Sequence, residues 1–281
     1  MMSARTILAP DAAVTSRQEA AFFSGLRLRN GTFKTTAERR LDDLNQLVIE
    51  QWKALGAAPR RLLDVGVSSG VSSVEWLQSL AAAGFDVDLV ATDVCLKAQL
   101  VPICRQYDVL VDRSGHILQH IVFGVAIRPW RRKLDFVTGH ALLSGVLNAV
   151  ARRVLRRRRS PAARAGEDIM LVSPRARGEA RIAFAEDDVF AANPQSFVRR
   201  FDAIRAANLL NCGYFSTAQI RTAIFNLKDR LVGPNCFLIV NRTRKDGTNH
   251  GTLFQLNAAA RFEILAKLRD GSEIEDIVLA A

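Results

Sequence analysis

Apolar positions along this chain fall into alternating blocks of two periods, and the order of the blocks is the first structural information. Leu41, Leu44, Leu47, Val48, Trp52 and Leu55 recur at helical spacing. Thr35 as N-cap with Glu38 three residues on predicts the start of that helix, and Gly56 with Pro59 its end. A short apolar run, 61–67, predicts a buried strand, and Val74, Leu77, Leu80 and Ala81 then give a helix over 72–83 with Gly84 as its C-cap. Further strands are predicted at 87–92, 181–188, 201–208 and 236–241, with a helix over 217–231. Strands over 251–256 and 261–268, joined by Asn257-Ala-Ala-Ala260, close the chain. Residues 1–20 read as a frayed terminus.

The alternation is interrupted once. Asp93 and Arg181 lie 88 positions apart, whereas a crossover between parallel strands needs only a dozen or so residues. Inside the gap, 107–112 and 116–123 flank Arg113-Ser-Gly115 and predict a β-hairpin. A helix over 140–155 follows, with the apolar stretch 141–150 and arginines at its C-terminal end, where the helix dipole favours cations. The organisation expected is an N-terminal segment with a cover helix (1–58) and an α/β domain (59–281). A basic hairpin-plus-helix insertion at about 100–168 interrupts that domain.

Composition adds a boundary and a localised charge. At 281 residues and 49% hydrophobic content the chain can bury a large core. No apolar run reaches the ~18–20 residues that cross a bilayer, and the first residues lack the apolar stretch of a secretory signal. Cys95, Cys104, Cys212 and Cys236 are scattered without C-x-x-C spacing, so reduced thiols in the cytoplasm are expected and no metal site. Of the net charge of +11, residues 128–164 carry +10: eleven Arg or Lys against Asp135 alone. The rest of the chain is near neutral.

The chemistry-bearing residues sit at predicted strand ends. Asp64-Val-Gly66-Val-Ser68-Ser-Gly70 leaves the first strand and enters a helix, and Asp93 ends the second strand 27 positions after Gly66. A glycine-bounded turn at a helix start lets backbone approach a ligand, and an acid at the end of the next strand suits ribose hydroxyls. The nicotinamide spacing G-x-G-x-x-G is not met, since Gly66 is followed by Val-Ser-Ser-Gly. The segment resembles the first motif of class I S-adenosylmethionine-dependent methyltransferases, acid-x-G-x-G-x-G, with Ser68 in the place of the middle glycine. Its G-x-S-S-G wording is similar to that of chemotaxis-receptor methyltransferases. The ordered strands and helices of 60–95 and 170–270 extend the resemblance.

That resemblance implies a Rossmann-like α/β fold, a seven-stranded mostly parallel sheet in the order 3-2-1-4-5-7-6. It implies S-adenosyl-L-methionine as cofactor, with Gly66, Ser68 and Gly70 against its methionine portion and Asp64 ordering the loop. Asp93 would hold the ribose. Asp188, or Asp187 exchanging with it, would meet the adenine amino group, with Val189 against the ring. Ala206, Ala207, Asn208 and Asn211 would face the sulfonium and the acceptor. The amino-methylating N-P-P-Y signature is absent. His116, His120, His140, His250 and Tyr214 offer no compelling general base, so the catalytic residues and the acceptor stay open: a small molecule or a lipid-linked compound. A protein carboxyl, or a non-catalytic adaptor, is the alternative.

Three readings of the basic insertion compete. Its helix lies on an anionic membrane through Arg152, Arg153 and Arg156–Arg159, at the inner face of the membrane. Or the arginines meet nucleic acid, less favoured because only Trp130 and Phe136 are interleaved. Or the helix covers the substrate pocket and its arginines are simply solvated. The helix ahead of the first strand likewise reads either as a lid or as cover for a sheet face.

Overall fold

The computed structural model describes residues 3–9, 14–29, 31–34, 37–136, 138–158 and 166–281. The chain divides into two compact units, Met1–Ala37 with Cys95–Arg177, and Glu38–Val94 with Gly178–Ala281. The N-terminal segment thus belongs with the inserted residues, and the predicted cover helix with the larger unit.

The larger unit is a mixed α/β layer structure. Its elements are α3 (Asp42–Ala54), β1 (Arg61–Val65), α4 (Val71–Ala82), β2 (Asp88–Asp93), β8 (Ile182–Glu186), β9 (Ala203–Ala207), α7 (Thr217–Arg230), β10 (Phe237–Thr243), β11 (Asn249–Leu256), β12 (Phe262–Leu268) and α8 (Glu275–Leu279), numbered in chain order. Seven strands form one sheet, β12-β11-β10-β9-β1-β2-β8. The five from β8 to β10 are parallel, and β11 and β12 run antiparallel as successive hairpins. Leu63, Val65, Ile204, Ala206, Leu238 and Val240 pack with Ile220, Ala223, Ile224 and Leu227 of α7 in one core.

Two expectations are corrected. In order of appearance the strands run 3-2-1-4-5-6-7, not 3-2-1-4-5-7-6. Only residues 244–248 separate β10 from β11, too few for a crossover, so the sixth strand folds back beside the fifth. The first helix of this unit starts at Asp42 rather than near Thr35, which lies outside the described residues. Arg39 has φ 55°, left-handed backbone through which a helix does not continue, and its N–H donates to Glu75 Oε1 at 2.8 Å.

The smaller unit contains α1 (Ala4–Ile7), α2 (Ser16–Phe23), β3 (Lys97–Cys104), β4 (Tyr107–Asp112), β5 (Ile117–Val122), β6 (Val125–Ile127), a 3-10 turn (Lys133–Phe136), α5 (His140–Arg157), β7 (Glu167–Met170) and α6 (Pro174–Arg177). Its antiparallel sheet, β6-β5-β4-β3-β7, contains the predicted hairpin as β4–β5 and three further strands. Both faces are covered. Ala4, Ile7, Phe22, Phe23 and Leu26 pack on Leu100, Leu110 and Leu118, so the N-terminal segment is core and not the expected frayed end. On the opposite face Ala151 and Leu155 of α5, with Leu147, meet Val101, Val109, Val111 and Ile117.

A buried polar clasp holds α5 to that sheet. Asn148 Nδ2 donates to Pro129 O (2.9 Å), leaving Oδ1 to accept from His120 Nε2 (3.1 Å). Tyr107 Oη lies 2.9 Å from both His120 Nδ1 and Leu147 O. Burial pushes the His120 imidazole down to about 4 from 6.5 and the Tyr107 phenol up. Because the unfolded histidine takes a proton that the folded one refuses, the clasp's stability is complete above pH 6.5. It is lost as pH falls toward 4, by about 3 kcal/mol in all. Urea melts between pH 7 and 4 should show that loss, and His120→Asn should flatten the pH dependence.

Candidate functional site

At the carboxyl end of β1 the chain must leave a central strand flanked by β2 on one side and β9 on the other. This is a topological switch point, where ligands enter open α/β sheets. The turn from Gly66 to Gly70 is built for close curvature: Gly66 has φ 73°, Ser68 59° and Gly70 81°. Gly66 and Val67 both donate to Thr92 O, at 2.8 and 3.1 Å, and Gly70 donates to Val67 O at 2.9 Å. A Cβ on Gly66 would meet Leu209 Cδ1 at 3.2 Å, so glycine there also admits the loop that follows β9. Gly70 caps the N-terminus of α4.

Asp93 is joined to this turn directly. Its Oδ2 accepts the Ser68 N–H at 2.8 Å, and the residue is buried. Ser68 Oγ is enclosed without a hydrogen-bond partner, as is Thr92 Oγ1 on β2. An enclosed hydroxyl without a partner costs about 1–3 kcal/mol, so Ser68 marks a place where a polar ligand atom is welcome. Gly66, Ser68, Gly70 and Asp93 therefore form one contiguous group.

The other acids have different employment. Asp64 accepts from Arg205 Nε (3.0 Å) and Nη2 (2.5 Å) and from Ser73 Oγ (2.7 Å), all buried. Arg205 also donates to Asn45 Oδ1 and Ser72 O, each at 3.0 Å, and lies 4.2 Å over the Trp76 ring. Asp64 thus locks β1 to β9 and to the first turn of α4, which fixes the base of the turn. Burial and the neighbouring Arg205 push the Arg40 guanidinium below its usual value.

Asp187 is held by Arg230, at 2.6 and 3.2 Å, with Arg230 also donating to Asn193 (2.7 Å). Its backbone N–H donates to Asp93 O at 3.1 Å. Asp188 is exposed and accepts the Phe190 N–H at 3.0 Å. Val189 is buried in the core of the unit. Asn208, at φ 58°, bonds Thr243 twice, accepting from its N–H (2.6 Å) and donating to its Oγ1 (3.0 Å). Asn208 thereby ties the carboxyl end of β9 to that of β10. Asn211 is buried and accepts the Gly213 N–H at 3.1 Å.

His140 Nε2 is enclosed without a hydrogen-bond partner in the smaller unit. His116 and His120 are spent on the smaller unit's sheet, His116 Nε2 lying 3.2 Å from Arg27 O. His250 lies 3.3 Å from Asp270 and 3.2 Å from Thr248. Tyr214 is exposed. Among the described residues no three His, Cys, Asp or Glu stand together as metal ligands.

The arginines were the missed part of the site. Arg205 stands mid-strand in Ala203-Ile-Arg-Ala-Ala207, and a lone cation in an otherwise apolar central strand signals a buried partner. Nothing in the sequence points Arg230, at the end of α7, to Asp187.

No protein-family model and no curated protein matches the chain. Among solved structures, the N-methyltransferase NodS from Bradyrhizobium japonicum WM9, in complex with S-adenosyl-L-homocysteine, is 15% identical. That match covers 80% of this chain and 73% of that one, with a TM-score of 0.34. The amino pentose methyltransferase CalS10 from Micromonospora echinaspora, with S-adenosylmethionine bound, is 14% identical over 85% of this chain and 80% of that one, TM-score 0.35. The CMeT domain of the citrinin polyketide synthase is 15% identical over 65% of this chain, which spans only 28% of it, TM-score 0.30. Superpositions this loose assign neither family nor activity.

Proposed function

We propose that the larger unit binds S-adenosyl-L-methionine at the carboxyl end of β1 and β2 and serves transfer of its methyl group to a small-molecule or lipid-linked acceptor. The observation that supports this most is the Asp93–Ser68 contact. It sets a buried carboxylate against a glycine-bounded turn at the switch point of a mostly parallel sheet. An acid so placed suits the two hydroxyls of a ribose. Ser68 Oγ and the start of α4 would meet the methionine portion, the helix N-terminus favouring its carboxylate. Asp188, the acid of its pair without an arginine partner in hand, would take the adenine amino group. Asp64 and Asp187 act as positioning residues through Arg205 and Arg230.

Bound cofactor supplies an activated methyl group, and methyl transfer from a sulfonium is downhill. The chain then has to align the acceptor and exclude water, and an oxygen or nitrogen acceptor also needs a base to take its proton. The alternative is action on a protein carboxyl, as in the chemotaxis group.

A melting experiment tests the reading. S-adenosylmethionine at a hundred times its dissociation constant should stabilise the protein by about 2.7 kcal/mol, seen as a raised melting temperature, and NAD should not. A melting temperature indifferent to S-adenosylmethionine and S-adenosylhomocysteine would refute it.

A further inference from the structure

The smaller unit uses only half of its long helix. Ala141, Ser144, Ala151 and Leu155 of α5 face inward and are buried. At 100° per residue, Leu142, Val146 and Val150 line up on the opposite side, with Leu143 beside them. They are exposed by 75%, 55%, 44% and 47%. Arg153 and Arg157 continue the same line toward the C-terminus, flanked by Arg152 and Arg156. The helix carries no acid along its 18 residues. Gly145 adds a further cation: a Cβ there would lie 2.8 Å from Arg131 Nη2, so the glycine lets Arg131 rest across the helix. Leu134, on the preceding 3-10 turn, is also 75% exposed.

Solvation alone accounts for the arginines and not for the aliphatic ridge. Four large apolar side chains exposed together on the outer face of a packed helix are a surface kept for a partner. We propose that this outer face of α5 docks in the plane of an anionic lipid surface. Leu142, Leu143, Val146 and Val150 enter the headgroup–acyl boundary, and Arg152, Arg153, Arg156 and Arg157 meet lipid phosphates.

Charge and shape favour that occupant over nucleic acid. The ridge is convex and wholly aliphatic, which suits an interface of acyl chains but gives bases nothing to stack on. The nearby Trp130 is already committed: Arg128 and Arg132 lie 4.8 and 4.9 Å from its ring and its Nε1 donates to Gly25 O at 3.0 Å. Arg158 donates to Pro102 O and is tied to the sheet, and Arg159 lies outside the described residues. No helix among the described residues is long and apolar enough to cross a membrane, so the mode is lying on the surface. The proposal concerns the smaller unit alone and stands whatever the larger unit binds.

Flotation of the full chain with vesicles tests it, using phosphatidylcholine alone and phosphatidylcholine mixed with phosphatidylglycerol. The wild type should float with the mixed vesicles, weakly with the neutral ones, and less as salt rises. The double variants Leu142→Gln/Val146→Gln and Arg153→Gln/Arg157→Gln should each lose about tenfold or more in binding. Both should melt with the wild type, because all four side chains point outward. No flotation with the mixed vesicles overturns the proposal, as does flotation unaffected by Leu142→Gln/Val146→Gln. So does a dimer, by light scattering, that the same variant dissolves in a protein indifferent to vesicles, or binding to single-stranded RNA without binding to vesicles.

Discussion

Asp93→Asn is expected to weaken binding of S-adenosylmethionine on the order of a hundredfold while leaving the fold in place. The amide keeps one carbonyl oxygen, enough to accept the Ser68 N–H that Asp93 Oδ2 accepts at 2.8 Å. The turn should therefore hold its shape. What is lost is the charge and the second acceptor, and a ribose offers two hydroxyl donors. Hydrogen bonds to a charged acceptor contribute about 1.5–3 kcal/mol each, so losing the charge on one and the acceptor of the other gives that factor. Titration calorimetry reads the affinity, and circular dichroism with a melt confirms the fold. Unchanged affinity in a folded Asp93→Asn protein would remove Asp93 from the cofactor site.

Asp64→Ala is expected to destabilise the larger unit by about 3–5 kcal/mol, lowering its melting temperature on the order of 10 °C. Arg205 would be left 1% exposed with its charge uncompensated, since its remaining partners, Asn45 Oδ1 and Ser72 O, are neutral. The loss comes from stranding a cation, not from the worth of the pair itself. The double change Asp64→Leu with Arg205→Met should consequently be milder than Asp64→Ala alone. Trp76, whose ring lies 4.2 Å beneath the guanidinium, should report the change in its fluorescence. A single variant that melts with the wild type would show that the ion pair does not hold β1 to β9.

Much of the larger unit was legible because its physics is local. Strands buried on both faces appear as short apolar runs, and the predicted 61–67, 87–92 and 236–241 overlap β1, β2 and β10. The turn at Gly66–Gly70 was legible too, since left-handed backbone there demands small residues. The order of the last two strands departs from the one the resemblance implies: β10 and β11 extend beyond the predicted 236–241 and 251–256, leaving five residues between Thr243 and Asn249, which force a hairpin.

Long-range pairings were the hidden part. Asp64 and Arg205 are 141 positions apart, and Asp187 and Arg230 are 43 apart. Spacing along the chain carries no trace of either. Asp187 and Asp188 read alike as strand-end acids, and only the arginine at the end of α7 separates them. The N-terminal segment was misread for a related reason. Ile7, Phe22 and Phe23 are too few to show a period, and they become core only when β3–β5 supply the other side.

Titration calorimetry of the purified chain with S-adenosylmethionine, S-adenosylhomocysteine and NAD tests the central claim most directly. A cofactor pocket at Asp93 predicts micromolar binding of the first two and none of NAD. Silence toward S-adenosylmethionine and S-adenosylhomocysteine, in protein whose melt shows it folded, would contradict it and leave the larger unit a Rossmann-like scaffold without that cofactor.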